Sequence, residues 1–167
     1  MVKITLPDNS VREFDGPVTG YEIAKSISNR LAKDVLSVAV DGEIWDLSRE
    51  IMHDAKIKLY TWEDREGKET FWHSSAHIMA EAIEYFYPGT KFGIGPTVEN
   101  GFYYDIELPG GKQLTEPDLQ KIEKKMIELA REKNEIVRQE ISKDDALEMS
   151  TQKNDELKLE LISELED

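Results

Sequence analysis

Along the first sixty or so residues the hydrophobic positions come in short alternating runs broken by turn chemistry, the pattern of strands in a small sheet. Val2, Ile4 and Leu6 alternate, Pro7-Asp8-Asn9-Ser10 turns the chain, and a second run reaches Phe14. Ile23, Ala24 and Ile27 then share one face at spacings of three and four, which predicts a helix over 21–27. Val35 to Val40 reads as a strand, Asp41-Gly42 is a strong hairpin signal, and Ile57, Leu59 and Tyr60 mark a closing strand.

Two strands, a helix and further strands in this order predict a ubiquitin-like β-grasp module over 1–62. The pattern then changes. In Glu63-Asp-Arg-Glu-Gly-Lys-Glu69 every residue but Gly67 is charged, so the stretch reads as a linker or exposed turn. Beyond it a helix is predicted over 70–87, stopped by Pro88-Gly89. Phe71, Ser75, Ile78, Met79, Ala82, Tyr85 and Phe86 form its apolar face, with Thr70, His73, His77, Glu81 and Glu84 opposite. Runs at 91–98 and 101–108 flank Asn100-Gly101 as a hairpin. Thr115 caps a further helix with Pro117 in its first turn, carrying Leu119, Ile122, Met126 and Leu129; so short a stripe suits packing on a sheet better than a coiled coil. Ser142 caps one more helix through Met149, and 156–162 reads as a last strand. The class is α+β: a β-grasp domain, then an α+β domain with a long helix packed on an antiparallel sheet.

Composition narrows the function. Twenty-one Lys and Arg stand against 35 Asp and Glu among 167 residues, a formal charge of −14, and there is no cysteine. Disulfide scaffolds, zinc ribbons and thiol enzymes are excluded. An acidic surface repels phosphate backbones, so a nucleic-acid partner requires a local basic patch or help from another part of the protein. No window approaches the roughly 18 apolar residues of a membrane span, and the N-terminus lacks the long apolar core of a signal peptide. A soluble, cytoplasmic protein without a membrane partner is expected.

The sharpest chemical feature is His73-Ser-Ser-Ala-His77. Histidines at i and i+4 on a helix project the same way, with β-carbons about 6 Å apart, close enough to share a metal, a water or a substrate group. A pair on a polar face is equally compatible with two solvated side chains. Position 74 is Ser, so the metalloprotease motif is absent, and too few further ligands are at hand for a stable zinc site. Gly93-Ile-Gly95 is no dinucleotide fingerprint, since Pro96 follows where a helix should begin; its glycines read as permitting bends. Of the tyrosines after Phe102, one faces away from it and could offer a hydroxyl to a cleft. Lys121, Lys124, Lys125 and Arg131 are interleaved with glutamates and read as a solvated face. Lys158, between Leu157 and Leu159 in an alternating strand, is either an ordinary exposed residue or a charge aimed into a site.

The order of these parts, together with His73-Ser-Ser-Ala-His77 and Ile94-Gly-Pro-Thr-Val-Glu-Asn-Gly-Phe-Tyr-Tyr-Asp105, resembles the N-terminal region of bacterial-type threonyl-tRNA synthetases over the whole chain. The resemblance implies a TGS domain at 1–62. It implies the N-terminal part of an editing domain at 63–167, where the family hydrolyses seryl-tRNA made in error. Serine differs from threonine by one methyl group, worth only ~1–3 kcal/mol in a binding pocket, so a hydrolytic second sieve is the physical remedy. By position, His73 and His77 line the editing pocket as catalytic residues, and Tyr104 and Lys158 match its substrate-binding positions. Alanyl relatives hold zinc with the same pair, whereas the threonyl branch edits without a metal, so no metal is expected here.

The family completes its pocket with a cysteine- and histidine-bearing segment after the position of Lys158, and this chain ends at Asp167. The expectation is therefore a fragment with little deacylase activity of its own. The parent would be a threonine–tRNA ligase with ATP, Mg and Zn in a catalytic core outside this chain, homodimeric through that core. The fragment would hold tRNA(Thr) weakly, as its charge suggests. Two other readings stay open: a β-grasp regulatory module that binds RNA or protein without catalysis, and a small metal-dependent hydrolase built on the histidine pair.

Overall fold

Val2 and Ile4 point into one core while Lys3 between them stays in solvent, and this alternation makes β1 (Val2–Thr5). The computed structural model describes residues 1–134, 139–152 and 156–165. It divides into two compact units, Met1–Trp72 and His73–Asp167; the boundary read from sequence at 62/63 lies ahead of that division.

In the first unit β2 (Val11–Phe14) returns antiparallel to β1, and β3 (Val18–Thr19) leads into α1 (Gly20–Ile27). Thr19 and Glu22 form a reciprocal cap: the Glu22 N–H donates to Thr19 Oγ1 at 3.2 Å, and the Thr19 N–H donates to Glu22 Oε2 at 2.9 Å. Next come α2 (Asn29–Asp34), β4 (Val35–Val40), β5 (Glu43–Trp45), β6 (Glu50–Ile51) and β7 (Ala55–Thr61). The sheet order is β2-β1-β7-β4-β5, with β1 and β7 parallel and the other neighbours antiparallel, and β3 pairs separately with β6. Asp41 and Gly42 both have positive φ, the backbone of a tight two-residue hairpin turn between Val40 and Glu43. Ile4, Ile23, Val38 and Ile51 are sealed from solvent, each worth about 1.5–3 kcal/mol of burial. The predicted β-grasp is observed. The short pieces α2, β3 and β6 carried too little periodicity to be read in advance.

One irregularity breaks the alternation. Val35 pairs with Thr61 but Ser37 pairs with Tyr60, so Leu36 is an extra residue bulged from β4. Ser37, just after the bulge, is buried, and its hydroxyl has no hydrogen-bond partner.

The charged stretch at 63–69 is not a linker. Helix α3 (Arg65–Phe86) begins within it, behind Asp64, whose Oδ2 accepts the Thr61 N–H at 3.0 Å. Charged residues in a first turn lie on the solvent side, so a charge run there cannot separate linker from helix. Gly67 lies against the end of β7 so closely that a Cβ would sit 2.0 Å from the Thr61 carbonyl oxygen.

In the second unit the rest of α3 shares a core with β8 (Lys91–Phe92), β11 (Ile106–Glu107) and α4 (Glu116–Glu132), and β9 (Thr97–Val98) and β10 (Gly101–Phe102) lie between β8 and β11 in the chain. β9 pairs with β10 and β8 with β11, both antiparallel, so the expected hairpin is two short ladders with Glu99-Asn100 at the turn. Pro109–Gly111 is a single 3-10 turn. The buried face of α3 is Ala76, Ala82 and Ile83, with Ile78, Met79, Ala80 and Tyr87 beside it. Of the predicted face Ile78, Met79 and Ala82 meet the core, whereas Phe71, Tyr85 and Phe86 are exposed, with the rings of Tyr85 and Phe86 packed edge to face on one another. Asp118 stands at the head of α4 with its Oδ2 accepting the Thr115 N–H at 3.0 Å.

Helix α5 (Lys143–Gln152) starts behind the predicted cap, with the Asp145 N–H donating to Ser142 Oγ at 3.1 Å. The predicted last strand is instead helix α6 (Glu156–Ser163), packed against α5. Its alternation covers a few residues only, and Leu, Glu and Lys favour a helix; a strand of that length draws on β-branched residues, of which Ile162 is the only one in 156–162.

Candidate functional site

Helix α3 holds His73 and His77 one turn apart, both exposed, while the buried Ala82 keeps the opposite side of the helix in the second core. Their Nε2 atoms are 3.0 Å apart, with the rings edge to face at 84°. One ring therefore donates from Nε2 and the other accepts there, so the neutral pair carries opposite tautomers. Although His77 is open to solvent on one side, the protein around it lowers its pKa below 6.5, first by desolvation and then through the charges of His73 and Lys158. At neutral pH His77 is thus an uncharged base.

Lys158 reaches this site electrostatically from α6, on a helix rather than the strand expected. On a helix Leu157 and Leu159 do not set the direction of Lys158, and the lysine lies close enough to act on His77. Lys91 of β8 meets Glu156 of the same helix at 3.1 Å.

Tyr104 is half-buried and packs beside the second core, edge to face with Phe92 at 5.4 Å between ring centroids. The exposed tyrosine after Phe102 is Tyr103. A Cβ on Gly95 would lie 2.8 Å from two carbons of the Tyr104 ring. The bend expected at that glycine is not what it supplies: its φ is not in the left-handed region, and what it provides is space. Among the described residues no three His, Asp or Glu side chains gather as a metal group, so the pair has no third protein ligand of that kind.

Residues 2–61 match the model of the TGS domain. Over all 167 residues the chain is 59% identical to a threonine–tRNA ligase of Parabacteroides distasonis, covering 26% of that protein. It is 55% identical to one of Porphyromonas gingivalis and 56% identical to one of Bacteroides fragilis, with the same coverage of each. Over its whole length the chain is similar to the N-terminal region of these threonine–tRNA ligases. It spans about a quarter of the length of the relatives it matches. In this region the TGS domain is the β-grasp described above, and the histidine pair lies in the unit that follows it. No helix among the described residues is long and apolar enough to cross a membrane.

Proposed function

We propose that this chain supplies the TGS domain, over 1–62, and the histidine-bearing part of an editing domain, over 63–167, to a cytoplasmic threonine–tRNA ligase. In this reading the editing unit hydrolyses seryl-tRNA(Thr). Water adds to the ester carbonyl carbon, the bond to the ribose oxygen breaks, and serine and tRNA(Thr) leave.

The observation that carries this reading is the 3.0 Å contact between the Nε2 atoms of His73 and His77, with His77 held neutral. A neutral imidazole takes the proton of the attacking water, and a neighbour in hydrogen-bond contact passes or returns it to the leaving ribose oxygen. Lys158 supplies positive charge beside the pair, suited to the charge that develops on the ester oxygen. Tyr104 is the substrate-binding residue carried by the family resemblance. ATP and Mg serve aminoacylation in the parent, which charges threonine onto tRNA(Thr), together with a core zinc; the described residues offer none of them a metal group. The tRNA is held chiefly by other parts of a homodimeric parent, since this region carries a formal charge of −14.

The test is hydrolysis of preformed seryl-tRNA(Thr) by a full-length ligase carrying this sequence. His73→Ala and His77→Ala each lower the rate about a hundredfold or more. Unchanged hydrolysis in both variants rejects the reading.

A further inference from the structure

Two observations meet at one side chain. The ring of Tyr104 stands edge to face with Phe92, and its other neighbour is a glycine whose missing Cβ leaves the space it occupies. A Cβ on Gly95 would be 2.8 Å from Cδ2 and Cε2 of that ring and 3.1 Å from its Cγ. Contacts below 3.0 Å force something to move. The base of an aromatic ring cannot bend away like the end of a lysine: the whole ring must turn about χ1 or χ2, and Phe92 restrains it.

Conformation gives no competing reason for the glycine. Gly42, Gly89, Gly101, Gly110 and Gly111 have positive φ, which disfavours other residues, and Gly95 does not. Gly93 is also free of that constraint, but a Cβ there would meet Asp105 at 3.3 Å, a contact that small shifts relieve. Gly95 alone in this segment is required by the face of a neighbouring ring.

We propose that Gly95 is a positioning residue, seating the Tyr104 ring against Phe92 so that the phenol is presented to the bound aminoacyl ester in one orientation. The inference rests on the editing reading above, in which Tyr104 touches substrate. It adds the device that fixes Tyr104, with Gly95 serving packing rather than a bend. A seat of this kind acts on the geometry of the bound ester, so its loss falls on kcat more than on KM.

The experiment is a double-mutant cycle in a full-length ligase carrying this sequence, read by seryl-tRNA(Thr) hydrolysis. Gly95→Ala lowers kcat about tenfold or more while KM stays within about threefold. Added to Tyr104→Ala, the same change costs nothing further, because the ring it displaces is gone. A further loss on top of Tyr104→Ala, normal hydrolysis by Gly95→Ala, or normal hydrolysis by Tyr104→Ala overturns the assignment. Should Gly95→Ala fail to fold, recovery of the fold in Gly95→Ala with Tyr104→Ala supports the seat, and failure of that double variant overturns it. The histidine variants keep the two ideas apart. Normal hydrolysis by His73→Ala and His77→Ala rejects the editing mechanism, whereas their loss of activity beside a normal Gly95→Ala rejects only the role of Gly95.

Discussion

His73 and His77 meet Nε2 to Nε2 at 3.0 Å, so the two rings compete for one proton position between them. Charging both would place two like charges in contact, and desolvation already disfavours charge on His77. In this chain the His77 imidazole therefore titrates below the ordinary 6.5. An unfolded His77 takes up its proton as pH falls through about 6.5, the folded one only at lower pH. The contribution is whole above that value and is lost as pH falls through the folded pKa. NMR titration of the imidazole Cε1 protons reads the midpoint directly, and a value at or above 6.5 for His77 contradicts the account.

Lys158 adds to the same depression from α6. Lys158→Gln removes one positive charge near the ring, so the His77 midpoint moves upward, and Lys158→Glu moves it further. The order wild type, Gln, Glu in rising pKa is the expected result. Identical midpoints in all three would place the lysine out of reach of the site.

Lys158 also shows where sequence reading ran out. The β-grasp was legible because its strands are long enough to alternate and Asp41-Gly42 demands one turn. The histidine pair was legible because a spacing of four on a helix leaves no choice of face. Residues 156–162 alternate over too short a distance, and helix propensity with packing on α5 decided their state. The apolar face of α3 was legible in part: Ile78, Met79 and Ala82 meet the core as their spacing predicts, but the apolar rings of Phe71, Tyr85 and Phe86 drew the stripe toward residues that stay exposed, and Ile83 was missed. Space reserved for a neighbour, at Gly67 and Gly95, leaves no periodic trace at all.

Gly67 gives the simplest stability test. The Thr61 carbonyl oxygen lies 2.0 Å from where its Cβ would be, and that oxygen also accepts the Asp64 N–H at 3.0 Å. An alanine must push the start of α3 away from β7 and disturb that bond. Gly67→Ala is expected to cost about 2 kcal/mol or more, against the modest gain alanine ordinarily brings to a helix. Equilibrium denaturation of the chain measures it, and an unchanged or raised midpoint refutes the close approach.

Ser37 is the converse case, a residue that the fold tolerates at a cost. Just after the bulge at Leu36 its hydroxyl is buried without a partner, and an unsatisfied buried donor costs about 1–3 kcal/mol. Ser37→Ala removes that group and leaves only a small void. The variant should be as stable as the parent or more so by up to about 1 kcal/mol, in denaturant melts. A clear loss of stability would mean that the hydroxyl is bonded.

Asp118 ties the head of α4 to the end of α3. Its carboxylate accepts the Thr115 hydroxyl and N–H and the Tyr87 hydroxyl, and Lys121 lies 3.1 Å away. These donors, the Thr115 hydroxyl first and the Tyr87 hydroxyl next, hold its pKa far below the usual 3.8, and the carboxylate in turn raises the Tyr87 phenol. A depressed carboxylate stabilises the fold fully above the unfolded pKa and loses that contribution as pH falls through the folded one. Asp118→Ala should thus lower the thermal midpoint at neutral pH, and the gap to wild type should narrow as the pH is taken below about 3.8. Tyr87→Phe should reproduce part of the loss, since it removes one of the donors to that carboxylate without emptying the ring's place beside the core. A gap between Asp118→Ala and wild type that keeps its size through the acid range would show that the carboxylate's charge is not what joins the two helices.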